Sequence, residues 1–116
     1  KKAYCHDGFT LMKFDHVAFQ TNNVPKTVDW YVEKLGAKVL KRYDDWAMVL
    51  LGDVTIAFTQ PDKHPPHIAI AVDSMKDMPC EEKHIKKHRD GSLYYYMEDP
   101  NGNVIEWLNW PKKDRF

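Results

Sequence analysis

Asp90-Gly91-Ser92-Leu93-Tyr94-Tyr95-Tyr96-Met97-Glu98-Asp99-Pro100-Asn101-Gly102-Asn103-Val104-Ile105-Glu106-Trp107 reads as two apolar, aromatic runs around a tight turn. Asp99-Pro100-Asn101-Gly102 suits a type I turn: Asp first, Pro second with φ already near the required value, Gly last. Gly102 in the left-handed region then closes a three-residue hairpin loop with a bulge. In that register Asp99 faces Asn103, and Tyr96 lies directly opposite Glu106 on one face of the sheet. Glu106 therefore stands in an apolar strand end, Val104-Ile105-Glu106-Trp107-Leu108. A carboxylate there is costly to bury unless it is paired or binds a metal.

The rest of the chain bounds what Glu106 can serve. Its 116 residues, 43% of them hydrophobic, suit one globular domain or two very small modules sharing a core. Lys plus Arg and Asp plus Glu both count 17, so formal net charge is zero. That balance speaks against a general nucleic-acid or membrane-surface binder. No apolar run approaches a membrane span, and the first residues carry no apolar core of a signal peptide. Cys5 and Cys80 lie far apart without a CxxC pattern, so free thiols and a reducing, cytoplasmic location are expected. Residues 1–11 show no clear period and are expected to be a leader or tag-like extension. From Met12 the pattern is clean, and residues 12–112 are expected to form the domain.

Phe14 to Thr21 alternates as a strand, with Phe14, His16, Ala18 and Gln20 on one face. Asn22-Asn23-Val24 turns the chain, and Pro25 fits the first position of a helix to about Leu35. Val28, Tyr31, Val32 and Leu35 form its apolar stripe, and Gly36 stops it. Strands follow at about 38–43, 46–51 and 54–60, punctuated by Asp44-Asp45 and Gly52-Asp53. After the linker from Pro61 to Pro66 the pattern restarts. His67-Ile68-Ala69-Ile70-Ala71-Val72-Asp73 mirrors His16-Val17-Ala18-Phe19-Gln20-Thr21-Asn22, an internal repeat of period 51. The second copy has room for barely two helical turns near 75–80, then a strand near 83–88, then the hairpin. The chain thus reads as α+β, two βαβββ modules at about 13–60 and 67–110.

Equivalence of the modules makes His16 and His67 equivalent. Their strand faces otherwise carry small residues, Ala18 and Gln20, then Ala69 and Ala71, which leave a concavity. Glu106 points inward by the register above. Two imidazoles and a carboxylate on a concave face suit a divalent transition metal with open positions. Taken singly, each is also an ordinary hydrogen-bonded or solvated side chain. Tyr96 reads either as a hydrogen-bond donor or acid toward a metal-bound substrate oxygen, or as cross-strand packing. The basic run Lys83-His84-Ile85-Lys86-Lys87-His88-Arg89 reads as a charged edge strand protected from aggregation, or as an anion-attracting rim. His84 and His88 would form a metal pair only on a helix, which Ile85 and Gly91 do not support.

Together these residues resemble the vicinal oxygen chelate superfamily: glyoxalase I, fosfomycin-resistance proteins, extradiol dioxygenases, methylmalonyl-CoA epimerase and bleomycin-resistance proteins. The resemblance spans about residues 13–110. It rests on Phe14-Asp15-His16-Val17-Ala18, Val28-Asp29-Trp30-Tyr31 with Leu35-Gly36, His67-Ile68-Ala69, and Glu98-Asp99-Pro100-Asn101-Gly102 leading to Ile105-Glu106. It implies paired βαβββ modules curling into a metal-holding half-barrel, with His16, His67 and Glu106 at the ligand positions. Glyoxalase I is similar but carries a second glutamate on the last strand of module one, where Ala57 falls, within one residue. Extradiol dioxygenases share Tyr96 but are usually twice as long. Fosfomycin-resistance enzymes resemble the chain in size, in Tyr96 and in Arg115, which would bind substrate, but have Thr where Ala18 stands. Bleomycin-binding members lack the ligands.

The expected function is a metal-dependent enzyme of lyase, dioxygenase or transferase type. Its substrate would be a small oxygenated molecule that chelates one divalent ion, with Fe²⁺, Mn²⁺, Ni²⁺ and Zn²⁺ all admissible. The alternative is a metal-free small-molecule binding or resistance protein of the same fold. The resemblance further implies a homodimer. Neither nucleic acid nor membrane is an expected partner.

Overall fold

The computed structural model describes residues 12–110. The readings made on residues 1–11, including Cys5, and on Arg115 lie outside the described residues. The strands are β1 (Met12–Gln20), β2 (Lys38–Arg42), β3 (Trp46–Leu51), β4 (Val54–Thr59), β5 (His67–Val72), β6 (Lys86–Lys87), β7 (Leu93–Glu98) and β8 (Val104–Asn109). One helix, α1 (Val24–Leu35), follows β1, and short 3₁₀ turns at Met75–Asp77 and Glu82–His84 follow β5. The eight strands form a mixed sheet in the order β2-β3-β4-β1-β5-β8-β7-β6. The α+β class with strand, helix or turns, then three strands in each module is as expected. Among the described residues no helix is long and apolar enough to cross a membrane. The described chain divides into two compact units, residues 16–68, and residues 69–110 together with 12–15.

In the unit of residues 16–68, α1 begins where Asn23 Oδ1 accepts from the Lys26 amide at 3.0 Å, which satisfies one of the orphan donors of a helix N-terminus. Pro25 sits in the first turn, where its missing N–H costs nothing. Gly36 ends the helix at φ +71°, and its N–H reaches the Val32 carbonyl at 3.1 Å. The buried stripe differs from the expected one. Val24, Val28 and Tyr31 pack on Ala47, Val49, Ile56 and Phe58, while Val32 and Leu35 are 40% and 46% exposed. Inclusion of Val24 in the first turn rotates the centre of the apolar face away from Leu35. Val17 packs against the same core. Phe19, on the same face of β1 as Val17, is 42% exposed and meets Phe58 at 6.5 Å between ring centroids.

β1 pairs in parallel with β4, with Val17 beside Ile56, Ala18 beside Ala57 and Gln20 beside Thr59. On the face away from the helix, Ala18, Ala57 and Met48 form a buried floor edged by Leu40 and Trp46.

In the second unit the core is Val72, Met78 and Trp107, with Ile70, Met75, Ile85, Tyr95, Met97 and Ile105 packed round it. The helix of the module is reduced to two single 3₁₀ turns, and the strand expected near 83–88 is only Lys86–Lys87. The physical reason is local: the amides of His84 and Ile85 bond back to the Glu81 and Glu82 carbonyls, so this backbone is spent in a turn before the strand can start. The hairpin is as read. Tyr96 faces Glu106 and Glu98 faces Val104, the Gly102 amide donates to the Asp99 carbonyl at 3.0 Å, and the Asp99 amide donates to Asn103 at 2.9 Å. Gly102 has φ +85°, the left-handed conformation the bulge requires.

Asp99 clamps this turn. Oδ1 accepts from the Asn101 and Asn103 amides, and Oδ2 from the Asn103 side chain. The Asn103 side-chain bond, then its backbone bond, holds the Asp99 carboxyl below its ordinary value of 3.8. A depressed folded value means that the stabilisation is present above the unfolded value and is lost as pH falls through the folded one. Asp99→Asn should therefore lower the unfolding midpoint at neutral pH. The gap from the parent should close as pH drops below 3.8, as measured by denaturant unfolding across pH.

Candidate metal centre

His16 and His67 lie in the unit of residues 16–68, both buried. β1 carries His16 inward by alternation with Val17, and the Pro65-Pro66 linker delivers His67 at the first residue of β5. Their rings meet edge to face, with centroids 5.6 Å apart and planes 67° apart. His67 Nδ1 is 2.7 Å from the Pro65 carbonyl. A carbonyl only accepts, so Nδ1 carries the proton and the neutral ring presents its lone pair at Nε2. This is the usual support of a metal-binding imidazole.

Extension of the parallel register from Val17 and Ile56 sets Thr55 beside His16. The repeat spacing agrees, since 51 residues before Glu106 is also Thr55. Ala57, the position expected to correspond to the second glutamate of glyoxalase I, pairs with Ala18 further along. Thr55 rather than Ala57 is the counterpart of Glu106. The absence of a carboxylate at that place holds either way.

Glu106 lies in the other unit, 2% exposed on β8. Its Oε2 accepts from His88 Nε2 at 2.7 Å. The His88 ring lies flat on Tyr94, with centroids 3.7 Å apart and planes 9° apart, and Tyr94 meets Tyr96 edge to face at 5.4 Å. Tyr96 is directly opposite Glu106. Burial, then the Glu106 carboxylate, then Tyr94 push the Tyr96 phenol far above the ordinary tyrosine value. Tyr96 is thus a neutral O–H donor throughout the physiological range and not a phenolate base.

His88 escaped the sequence reading as a site residue. The signal was available: with Asp90-Gly91 as the turn, Lys86 faces Tyr94 and Lys87 faces Leu93, so His88 falls on the face of Tyr94, Tyr96 and Glu106. His84 does not join it and instead faces Glu81 Oε1 at 3.9 Å. Gln20, on the small-residue face, donates to the backbone carbonyls of Pro61 and His64, which ties the linker before His67 to β1.

The family model described as Glyoxalase/Bleomycin resistance protein/Dioxygenase superfamily matches residues 13–78, more than half of the chain. The chain belongs to this superfamily. No curated protein matches it. Among solved structures it is similar to methylmalonyl-CoA epimerase from Mycobacterium tuberculosis, with TM-score 0.69 and 17% identity over 86% of this chain and 89% of that one. It is similar also to methylmalonyl-CoA epimerase from Streptomyces coelicolor, with TM-score 0.68 and 15% identity over 92% of this chain and 100% of that one. A variant of homoprotocatechuate 2,3-dioxygenase from B. fuscum superposes with TM-score 0.62 and 20% identity, over 91% of this chain but 36% of that one. At these identities the likeness is one of fold. The fold neighbours thus include both epimerases and a dioxygenase, and the chemistry of this chain has to be argued from its own residues.

The Tyr96 environment makes a direct prediction. In a spectrophotometric titration Tyr96 should contribute no phenolate as pH passes through 10, the ordinary value. Tyr96→Phe should match the parent through that range; one fewer phenolate in the variant would refute the assignment.

Proposed function

We propose that His16, His67 and Glu106 hold one divalent metal ion, and that the chain is an enzyme acting on a small oxygenated substrate that binds that ion through neighbouring oxygens. The observation that carries this reading is the buried pair of imidazoles, His16 and His67, with ring centroids 5.6 Å apart, together with the buried Glu106 carboxylate, which the hairpin register sets opposite Tyr96. The donor chemistry fits. Two imidazoles and one carboxylate, without thiolate, are the set that suits Fe²⁺, Mn²⁺, Ni²⁺ or Zn²⁺ and leaves positions open for substrate. The His67 tautomer fits as well, since the bond to Pro65 directs its lone pair through Nε2.

When bound, such an ion supplies Lewis-acid polarisation of a substrate oxygen. The chain supplies the rest. Tyr96, held protonated beside Glu106, places an O–H donor where negative charge would develop on the substrate. Ala18 and Ala57 keep the floor beside His16 shallow, so a planar or branched group can approach. Lys86 on β6, opposite Tyr94, and its neighbour Lys87 give the hairpin rim a positive character that favours an acidic substrate. The CoA ester named for the epimerases and the homoprotocatechuate named for the dioxygenase are both small oxygenated compounds, and a compound of that class is the substrate proposed here.

Elemental analysis and metal titration of the parent and three variants test the ligand set. The parent should bind about one ion per chain. Glu106→Gln keeps the shape and removes the anion, and His16→Ala removes a nitrogen donor. Each should weaken binding by more than the roughly ten- to hundredfold typical of outer contacts. His64→Ala, in the linker, should bind as the parent does. A parent that binds no metal tighter than about millimolar would leave the metal-free binding protein as the reading.

Tyr96→Phe should keep its metal and lose about ten- to a thousandfold in turnover, the range for a missing acid or oxyanion donor. Unchanged turnover would return Tyr96 to packing.

A further inference from the structure

The pair His88–Glu106 is built more firmly than neutralisation of a carboxylate requires. The side chain of His88 is 23% exposed and that of Glu106 is 3% exposed, with 2.7 Å between Nε2 and Oε2. Backbone bonds, a closed turn and a ring stack together fix where the imidazole can point. The His88 amide donates to the Ser92 carbonyl at 2.8 Å, and the Gly91 amide donates to the His88 carbonyl at 2.9 Å. That turn is in turn closed by Asp90 Oδ1, which accepts from the Ser92 amide at 2.9 Å and from Ser92 Oγ at 2.7 Å. Ser92 itself is fully buried. Finally the ring lies flat on Tyr94, so rotation about its side-chain bonds would break a stacked contact. Backbone, turn and ring are thus all fixed before the ring meets Glu106.

We propose that His88 is a positioning residue that holds Glu106 as a one-oxygen donor. This rests on the metal reading above. A carboxylate can meet a metal ion through one oxygen or both. Donation from His88 Nε2–H to Oε2 is a short bond to an ionised acceptor, of the strong kind. It engages Oε2, so that Glu106 would meet the ion through Oε1. The consequence is chemical: one coordination position that a two-oxygen carboxylate would fill stays open, and a substrate that binds through two neighbouring oxygens needs such positions. His88 would do this through its bond to Glu106. Outer partners of this sort orient the ligand, and their loss typically costs about ten- to a hundredfold in metal affinity.

The test uses the full chain with Mn²⁺ as the probe. Electron paramagnetic resonance gives its affinity, and water proton relaxation gives the number of exchangeable waters on the bound ion. His88→Phe keeps a ring to stack on Tyr94 but removes the donor. Its Mn²⁺ affinity should fall about ten- to a hundredfold, and the bound ion should carry fewer waters as Oε2 turns toward it. His88→Gln restores an N–H near the position of Nε2 and should return both quantities to within about threefold of the parent. Tyr94→Leu keeps the donor but removes the support of its ring, and should fall between; it carries the comparison if His88→Phe does not fold. Parent-like affinity and water number in both His88→Phe and Tyr94→Leu would overturn the proposal, as would His88→Gln behaving like His88→Phe. A parent chain that takes up no Mn²⁺ would overturn the metal reading itself, a result distinct from a parent that binds Mn²⁺ and is indifferent to His88.

Discussion

A carboxylate buried in an apolar strand is the constraint to which the rest of this molecule answers. Glu106 has 2% of its surface in contact with solvent. Loss of water by an ionised group costs several kcal/mol in a real protein unless strong partners replace the solvent. The chain supplies such a partner in His88, on the outer side of the same sheet face. It also shapes the surroundings: Tyr96 is kept protonated by its own burial and by that carboxylate. Trp107 and Leu108 on the same strand lie in the core, so Glu106 cannot turn out without the strand turning with it.

Much of the fold was legible because it was written in short-range chemistry. Asp99-Pro100-Asn101-Gly102 has one good turn, the turn has one register, and the register puts Tyr96 opposite Glu106. Asn23, Pro25 and Gly36 mark the helix ends by what they donate, accept or lack. The repeat joined two such modules without any long-range information. What the pattern did not carry was packing. Val32 and Leu35 obey helical spacing, yet Val24 and Val28 are the residues that reach the core. Phe19 alternates correctly with Ala18, yet the helix does not cover it. Alternation assigns a face; it does not say how far a neighbouring element extends over that face.

The candidate site divides in the same way. The buried strand positions of His16, His67 and Glu106 were readable, since all three follow from period and register. His88 and Thr55 were not read, and both depend on which residue lies beside which across strands. Thr55 stands 51 residues before Glu106, so the repeat carried it, but its place beside His16 is set by the parallel offset of β1 on β4, which no turn specifies. His88 sits past the end of a two-residue strand in a run of charges, where its neighbours advertise solvent; the register of the Asp90-Gly91 turn gives its face, and the stack on Tyr94 gives the orientation of its ring. One fold can host unlike chemistries, so what this chain does has to rest on such particular residues.

The central claim is that one divalent ion is held by two imidazoles and one carboxylate of this chain. X-ray absorption at the metal edge of the Mn²⁺-loaded protein addresses it most directly, because imidazole rings give multiple-scattering features that carboxylates and water do not. The account predicts two imidazoles on the ion in the parent, one in His16→Ala and one in His67→Ala. A spectrum with no imidazole, or one unchanged by either substitution, would contradict it.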